Sequence, residues 1–329
     1  MSVYLALLLA GAFLGLVFTP LVRSGSMALG LVDAPGGRKV HSTSVPRLGG
    51  LAVVLASATA IVVIDSLQLR LPGTPIALDP VMPLLGGAAL VFGIGLLDDL
   101  RPIPVWPRLL VQVVAAAVVM ASGLLIERIT IGGQTWQLGV LSGLVTLLWI
   151  VGLTNAFNLI DGIDGLAAGI AVIAGGTCTV ILVARGHAAE AMVLSALVGA
   201  ALGFLVYNFA PATIFLGDGG SLTFGFMLAT TAITGWQKGA TALAAGVPIL
   251  IFALPLADSL STLLRRLLRR PVSGRVTLRT LVRQIVEPDR GHIHDRLGAL
   301  GWSTRRTVLL LYLVTALLSL LALTTARLE

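Results

Sequence analysis

Charge is scarce in this chain. Only 11% of its 329 residues are Asp, Glu, Lys or Arg, and 57% are apolar, whereas ordinary soluble domains carry about 25% charged and roughly 45–50% apolar residues. A water-soluble globule of this length cannot hide so much apolar surface, and a bilayer removes the need to hide it. Cysteine is nearly absent: Cys178 stands alone, so no intramolecular disulfide can form, and a lone Cys in an apolar run reads as a small core residue. The first apolar run has no basic residue before it and no small-residue cleavage site after it, so residues 2–22 read as a retained first helix and not a secretory leader. The net charge of +7 comes without aromatic interleaving, which argues against nucleic acid as a partner. No internal repeat or low-complexity tract occurs, and no Cys/His spacing fits zinc.

What the chain does have is a series of apolar runs near the roughly 20 residues that cross a hydrocarbon core. They fall near 2–22, 48–67, 81–97, 109–126, 139–155, 166–184, 190–207, 219–236, 239–261 and 307–326, with the break at Trp236–Gly239 the weakest. The expected fold is an all-α polytopic membrane protein of about ten transmembrane helices, a single domain over residues 1–329. Ten spans put both termini on one side. Assigned to sides, 17 of the 22 Lys and Arg residues gather on the other, including the arginines between Arg265 and Arg306 in a long loop at about 262–306. The positive-inside rule makes that side cytoplasmic and puts both termini outside. Between the fourth and fifth spans, Arg128–Leu138 alternates about a Gly-Gly centre, as a small β-hairpin would. Small pairs such as Gly11 and Gly15 point to close helix packing.

The polar motifs fall on the same cytoplasmic side. Asp98 and Asp99 end the third span, where carboxylates are costly unless hydrated, paired or bound to a cation. One of them can serve as a base, or the pair can be a solvated helix end. In Asn155-Ala-Phe-Asn158-Leu-Ile-Asp161-Gly-Ile-Asp164-Gly165, four polar residues recur every third position, so neighbours share a helix face, and Gly162 and Gly165 mark a helix end. Amide and carboxylate oxygens suit a hard cation such as Mg²⁺, which takes substrate phosphates as further ligands. The next polar segment, Asn208 to Ser221, carries Asp218 before a new apolar span. Gly219 and Gly220 there would let backbone N–H groups approach a phosphate. The Arg265–Arg270 cluster reads as a lipid-headgroup contact. Asp289–Arg296 holds two of the four histidines and fits either a pyrophosphate site or a solvated turn. The first cytoplasmic loop, Asp33 to His41 and Val45 to Gly50, is basic and rich in Gly and Pro, which suits an anionic ligand or anionic lipid.

Taken in order, these segments resemble the polyprenyl-phosphate N-acetylhexosamine-1-phosphate transferases, members of glycosyltransferase family 4. The similarity runs from Arg38-Lys39, His41 and Pro46–Gly50 through Asp98-Asp99, Asn155–Gly165 and Phe215–Asp218 with Ser221, to His292-Ile293-His294. That last motif resembles the branch using UDP-GlcNAc; the peptidoglycan-precursor branch carries a run of histidines after a proline. The resemblance implies that Asp218 and Asn158 hold Mg²⁺ (Mn²⁺ being a workable substitute) or its pyrophosphate. It implies that Asp164 recognises uracil, that Phe215 stacks on it, and that Asp161 and Asn208 belong to the same nucleotide pocket. Asp98 matches a base or nucleophile supported by Asp99, while Arg108, Lys39, His41, His292 and His294 match phosphate-side positions. Two departures stand out: Pro102 replaces a frequent third acid, and Asp295 replaces the last histidine of the motif. The implied reaction is Mg²⁺-dependent transfer of a HexNAc-1-phosphate, GlcNAc-1-phosphate foremost, from a UDP-sugar to undecaprenyl phosphate with release of UMP. It would open an envelope glycan pathway at the inner (plasma) membrane, on the cytoplasmic face, with a homodimer one assembly open to it. The rival donor is UDP-MurNAc-pentapeptide. The rivals of other classes are a transporter, whose ionisable groups would sit near the bilayer midplane, and a CDP-alcohol-type transferase, which needs a longer Asp-rich array than occurs here.

Overall fold

The computed structural model describes residues 2–33, 44–67, 78–131, 134–236, 246–268 and 291–327. Lys39 and His41, and residues 269–290 of the expected loop at 262–306, lie outside them. The described elements are α1 (Ser2–Ala28), β1 (Val32–Asp33), β2 (Val45–Pro46), α2 (Gly49–Ser66), α3 (Met82–Leu100), α4 (Val105–Ala121), β3 (Arg128–Ile131), β4 (Gln134–Gln137), α5 (Ser142–Ile160), α6 (Leu166–Ala184), α7 (Ala188–Asn208), α8 (Gly217–Trp236), α9 (Gly246–Ile251), α10 (Ala253–Leu268), α11 (Ile293–Ala299) and α12 (Thr304–Arg327).

Seven of these helices are long and apolar enough to cross a bilayer: α1, α2, α3, α5, α6, α7 and α12, the third and fourth of them extended by short turns at their starts. Their outward faces carry large apolar side chains such as Phe13, Val62 and Leu148, all more than half exposed. In water such a surface would aggregate; in lipid it is solvated. The chain is an all-α, multi-pass membrane protein.

The other three expected spans differ for physical reasons. α4 is an apolar helix of 17 residues. α8 is diluted by Gly, Ser and Thr, but residues 221–233 along it are buried because it packs among α2, α3, α5 and α6. A helix walled by protein needs no lipid-facing apolar stripe, and Thr223, Thr230 and Thr231 turn their hydroxyls back onto helix carbonyls. The run expected to cross as one helix at 239–261 is split into α9 and α10 around Phe252. Pro255 has no N–H to give to the Ile251 carbonyl one turn back, so the helix restarts with Pro255 in its first turn.

The hairpin forms as expected: β3 and β4 pair antiparallel, Arg128 opposite Gln137 and Ile131 opposite Gln134. α1 lies against α7, with Gly11 and Gly15 facing the Ala196 and Ala200 backbone. One main core runs through α2 to α10 and α12, with Phe157, Phe204, Phe226 and Phe252 fully buried in it.

Candidate active site

The polar motifs meet where the C-terminal ends of α3 and α5 face the N-terminal end of α8. Gly217 starts α8 at φ +77°, in a backbone region that L side chains avoid. A methyl group there would also come within 2.6 Å of Asp99 Oδ2. The reason is that Asp99 caps α8 from another helix: its two oxygens accept the backbone N–H groups of Asp218 at 2.8 Å and Gly219 at 2.9 Å. Helix N-termini leave such donors orphaned and favour negative charge. Of the N–H groups expected to approach a phosphate, that of Gly219 is therefore taken by a carboxylate of the protein itself, and Gly220 packs against Gly50 of α2.

Asp218 is thereby fixed at the centre. Asn158 Nδ2 donates to its Oδ1 at 3.0 Å and to Ser221 Oγ at 3.1 Å. The Arg108 guanidinium donates to its Oδ2 and to Asp98 Oδ2, the latter at 2.8 Å. Asp98 Oδ1 also accepts the Ile103 N–H at 2.6 Å. Five of the expected residues (Asp98, Asp99, Arg108, Asn158 and Asp218) thus form one network supplied by α3, α4, α5 and α8. Asn155, first of the periodic series, points elsewhere and ties α5 to Gln112 of α4 at 2.5 Å.

Beside this network opens a cavity of about 800 Å³, whose wall includes Asp99, Asp161, Asp164, Asn208, Phe215 and Asp218; cavities of roughly 300–1,000 Å³ are the usual size for small-molecule sites. Asp98, Arg108 and Asn158 do not line it but touch Asp218 or its guanidinium partner. Phe215 is set by backbone bonds: its N–H donates to Pro46 O at 2.8 Å and its C=O accepts from Gly49 at 2.9 Å. Asp164 Oδ2 accepts the Ala212 N–H at 2.9 Å across the cavity rim. Asn208 is buried, its Nδ2 donating to Ile214 O at 3.0 Å, while its Oδ1 has no partner. A buried acceptor left unmatched costs about 1–3 kcal/mol, and Asn208 is itself part of the cavity wall. Loss of surrounding water pushes the Asp161 carboxyl well above its ordinary range, and the charges of Asp218, Asp99 and Asp164 push the same way. An acid-rich wall of this kind favours a ligand that brings cations with it.

The residues fit a hard divalent cation by the chemistry of their donors. Asp218 and Asn158 offer carboxylate and amide oxygen, and no sulfur or imidazole competes. Among the described residues no three acids, histidines or cysteines cluster to cage a metal, which suits an ion that completes its shell with water and substrate phosphate.

His292 and His294 do not line the cavity. They stack with ring centroids 5.6 Å apart and planes 3° from parallel, and His294 lies against Gly162 behind the wall. Burial lowers His294 below the ordinary histidine value; Asp295 and Asp258 oppose that and His292 reinforces it. Asp295, the departure from the family pattern, accepts the His292 N–H at 3.3 Å and so caps α11.

Sequence reasoning missed several wall residues. Arg47 and Asp33 pair across the β1–β2 ladder and both reach the cavity. Ser303, Thr304 and Arg305 close it from the start of α12, with Arg305 Nε donating to Ala210 O at 2.7 Å. Asp33 and Arg47 both belong to the basic, Gly- and Pro-rich segments of the first loop, but Ser303–Arg305 carry no local signal beyond a helix start.

Fold and site together define a polytopic membrane enzyme with an acid-rich pocket at the ends of its helices. The sequence profile of glycosyl transferase family 4 matches residues 81–236. The chain is 35% identical over 310 residues to a probable undecaprenyl-phosphate N-acetylglucosaminyl 1-phosphate transferase of Bacillus subtilis, covering 93% of this chain and 80% of that protein. It is 36% identical over 326 residues to a decaprenyl-phosphate N-acetylglucosaminephosphotransferase of Mycolicibacterium smegmatis, covering 93% and 78%. A phospho-N-acetylmuramoyl-pentapeptide-transferase of Streptococcus thermophilus is 36% identical over 223 residues, covering 60% and 63%. The chain belongs to glycosyl transferase family 4, and it is a phosphotransferase.

Proposed function

We propose that this enzyme transfers N-acetylglucosamine-1-phosphate from UDP-GlcNAc to a polyprenyl phosphate, undecaprenyl phosphate in particular, and releases UMP. The observation that carries the reading is the fixing of Asp218, at the cavity wall, by Asp99, Arg108 and Asn158 from three other helices. An oxygen of the lipid phosphate attacks the β-phosphorus of the donor, the bond to the UMP oxygen breaks, and one pyrophosphate linkage replaces another. The protein's share of such a phosphoryl transfer is positioning and charge neutralisation. Asp98 takes the proton from the lipid phosphate, Arg108 neutralises negative charge beside Asp218, and Phe215, Asn208 and Asp164 hold the uracil. Mg²⁺ held by Asp218 with Asn158 would supply charge to the diphosphate.

The names of relatives matched over 93% of this chain support GlcNAc as the sugar, while the muramoyl-pentapeptide relative matches over 60%. In the membrane we propose a single transferase domain of ten crossings, both termini outside and the cavity open to the cytoplasm at the inner membrane, as the distribution of Lys and Arg supports. The test is purified protein in detergent with UDP-GlcNAc and undecaprenyl phosphate, with and without Mg²⁺, and with UDP-MurNAc-pentapeptide in parallel. UMP release with the first donor and Mg²⁺ is expected. Release only with the second donor, or at full rate in excess chelator, would overturn the corresponding part.

A further inference from the structure

Asp258 is a carboxylate with 1% exposure in α10, a helix that gives no described residue to the cavity wall. A buried charge of this kind is costly unless both oxygens are used, and both are. Oδ2 lies 2.6 Å from His292 Nδ1, and Oδ1 accepts the Ile293 N–H at 2.7 Å. Thr262, one turn along α10, stands 3.4 Å from the same ring nitrogen.

A carboxylate on one ring nitrogen fixes both the tautomer and the plane of an imidazole. The plane of His292 is passed on, because His294 stacks parallel to it. The His294 ring then meets the turn between α5 and α6. A methyl group added at Gly162 would come within 2.6 Å of its Cε1 and Nε2. Gly162 lies in the cavity wall between Asp161 and Ile163, with Asp164 next. This turn is outside any helix, so what stands behind it decides where its two carboxylates sit.

We infer that Asp258 is a positioning residue for the donor: through the His292–His294 stack it sets the Asp161–Asp164 turn from a helix with no described residue in the cavity wall. The inference rests on the proposed reading that this turn binds the nucleotide end of the UDP-sugar. It assigns the histidine motif a supporting role behind the wall, with Asp258 as its anchor.

The experiment is a double-substitution cycle in the full-length enzyme. Asp258→Asn keeps the size and the acceptor for Ile293 but removes the charge facing His292. It should raise KM for UDP-GlcNAc about tenfold, the effect of losing one hydrogen bond to a charged group, with kcat and the lipid KM little changed. In a His292→Ala background the same substitution should change donor KM less than about twofold, since its path is already cut. Gly162→Ala, approaching the stack from its other end, should raise donor KM similarly, and it carries the test if Asp258→Asn does not yield folded protein. Equal effects of Asp258→Asn in both backgrounds, or an unchanged donor KM in Gly162→Ala, would overturn the inference while leaving the transferase reading intact. A wild-type enzyme that releases no UMP would overturn the reading; the cycle is then read as UMP affinity by calorimetry, and wild type failing to bind UMP would overturn both.

Discussion

Arg108 joins two carboxylates from different helices, Asp98 at the end of α3 and Asp218 at the start of α8. Both bonds come from one nitrogen, Nη1, whose two N–H groups the planar guanidinium holds in fixed directions, whereas a lysine ammonium is a freely rotating point charge on a shorter reach. Arg108→Lys should therefore keep the fold and lose about 10²-fold in kcat, the range found when one aligned donor at a reacting centre is removed. Arg108→Ala should lose at least as much. UMP release under saturating donor and lipid measures both, and a Lys variant within threefold of wild type would sink the idea that the planar guanidinium matters.

The adjacent acids Asp98 and Asp99 should separate on substitution. Asp99 holds two N–H groups of α8, so Asp99→Ala should lower thermal stability by about 1–2 kcal/mol, the usual cost of losing a cap, and impair activity through Asp218. Asp98→Asn keeps the acceptor for Ile103 and gives up the Arg108 bond at Oδ2, but it removes a negative charge that shares this guanidinium with Asp218. The two effects oppose, so it should cost less stability than Asp99→Ala while abolishing transfer. Melting curves in detergent beside the UMP assay decide this. Equal loss of stability in the two variants would mean that the division of labour is wrong.

Phe215 offers a cleaner separation of binding from chemistry. Its loop is held by backbone bonds to Pro46, Gly49 and Gly50, so truncating the ring should not move Asp218. Stacking on a base is worth about 1–3 kcal/mol by alanine substitution. Phe215→Ala should raise KM for UDP-GlcNAc about tenfold or more and leave kcat nearly unchanged. A fall in kcat with constant KM would instead show that the ring acts on the reacting centre.

Much of this architecture was legible in sequence because bilayers impose a crude rule. Long apolar runs become helices, and the alternating Arg128–Leu138 segment around its Gly-Gly centre becomes a hairpin. The meeting of Asp98, Asp218 and Asn158 was legible too, since each stands at a span end on the same side. What stayed hidden depends on contacts between distant segments. Nothing local in Asp98-Asp99 says that one faces Arg108 while the other caps α8. Asp258 sits in an apolar run that reads as lipid-facing, and its partner His292 lies 34 positions further along the chain. The break at Phe252 was visible only as Pro255, which hydropathy does not register, and α8 shows why apolarity and burial diverge at the centre of a bundle.

Asp161 makes a prediction whose sign is set by its raised pKa. In the folded, ligand-free protein this carboxyl holds its proton to higher pH than in the unfolded chain, where the ordinary value is 3.8. The folded state therefore binds more protons between those two values, and its stability falls as pH rises through that window. The contribution is fully present below the unfolded value and gone above the folded one. Asp161→Asn removes the charge that burial and the neighbouring acids oppose. The variant should melt higher than wild type at neutral pH, and the gap should shrink steadily as pH is lowered toward 4. At the same time it should bind UMP more weakly, because the acid is kept for the ligand and not for the fold. Melting temperatures across pH 4–8 in ligand-free protein test the first half, and calorimetry with UMP tests the second. A gap independent of pH would show that Asp161 is not the group under strain.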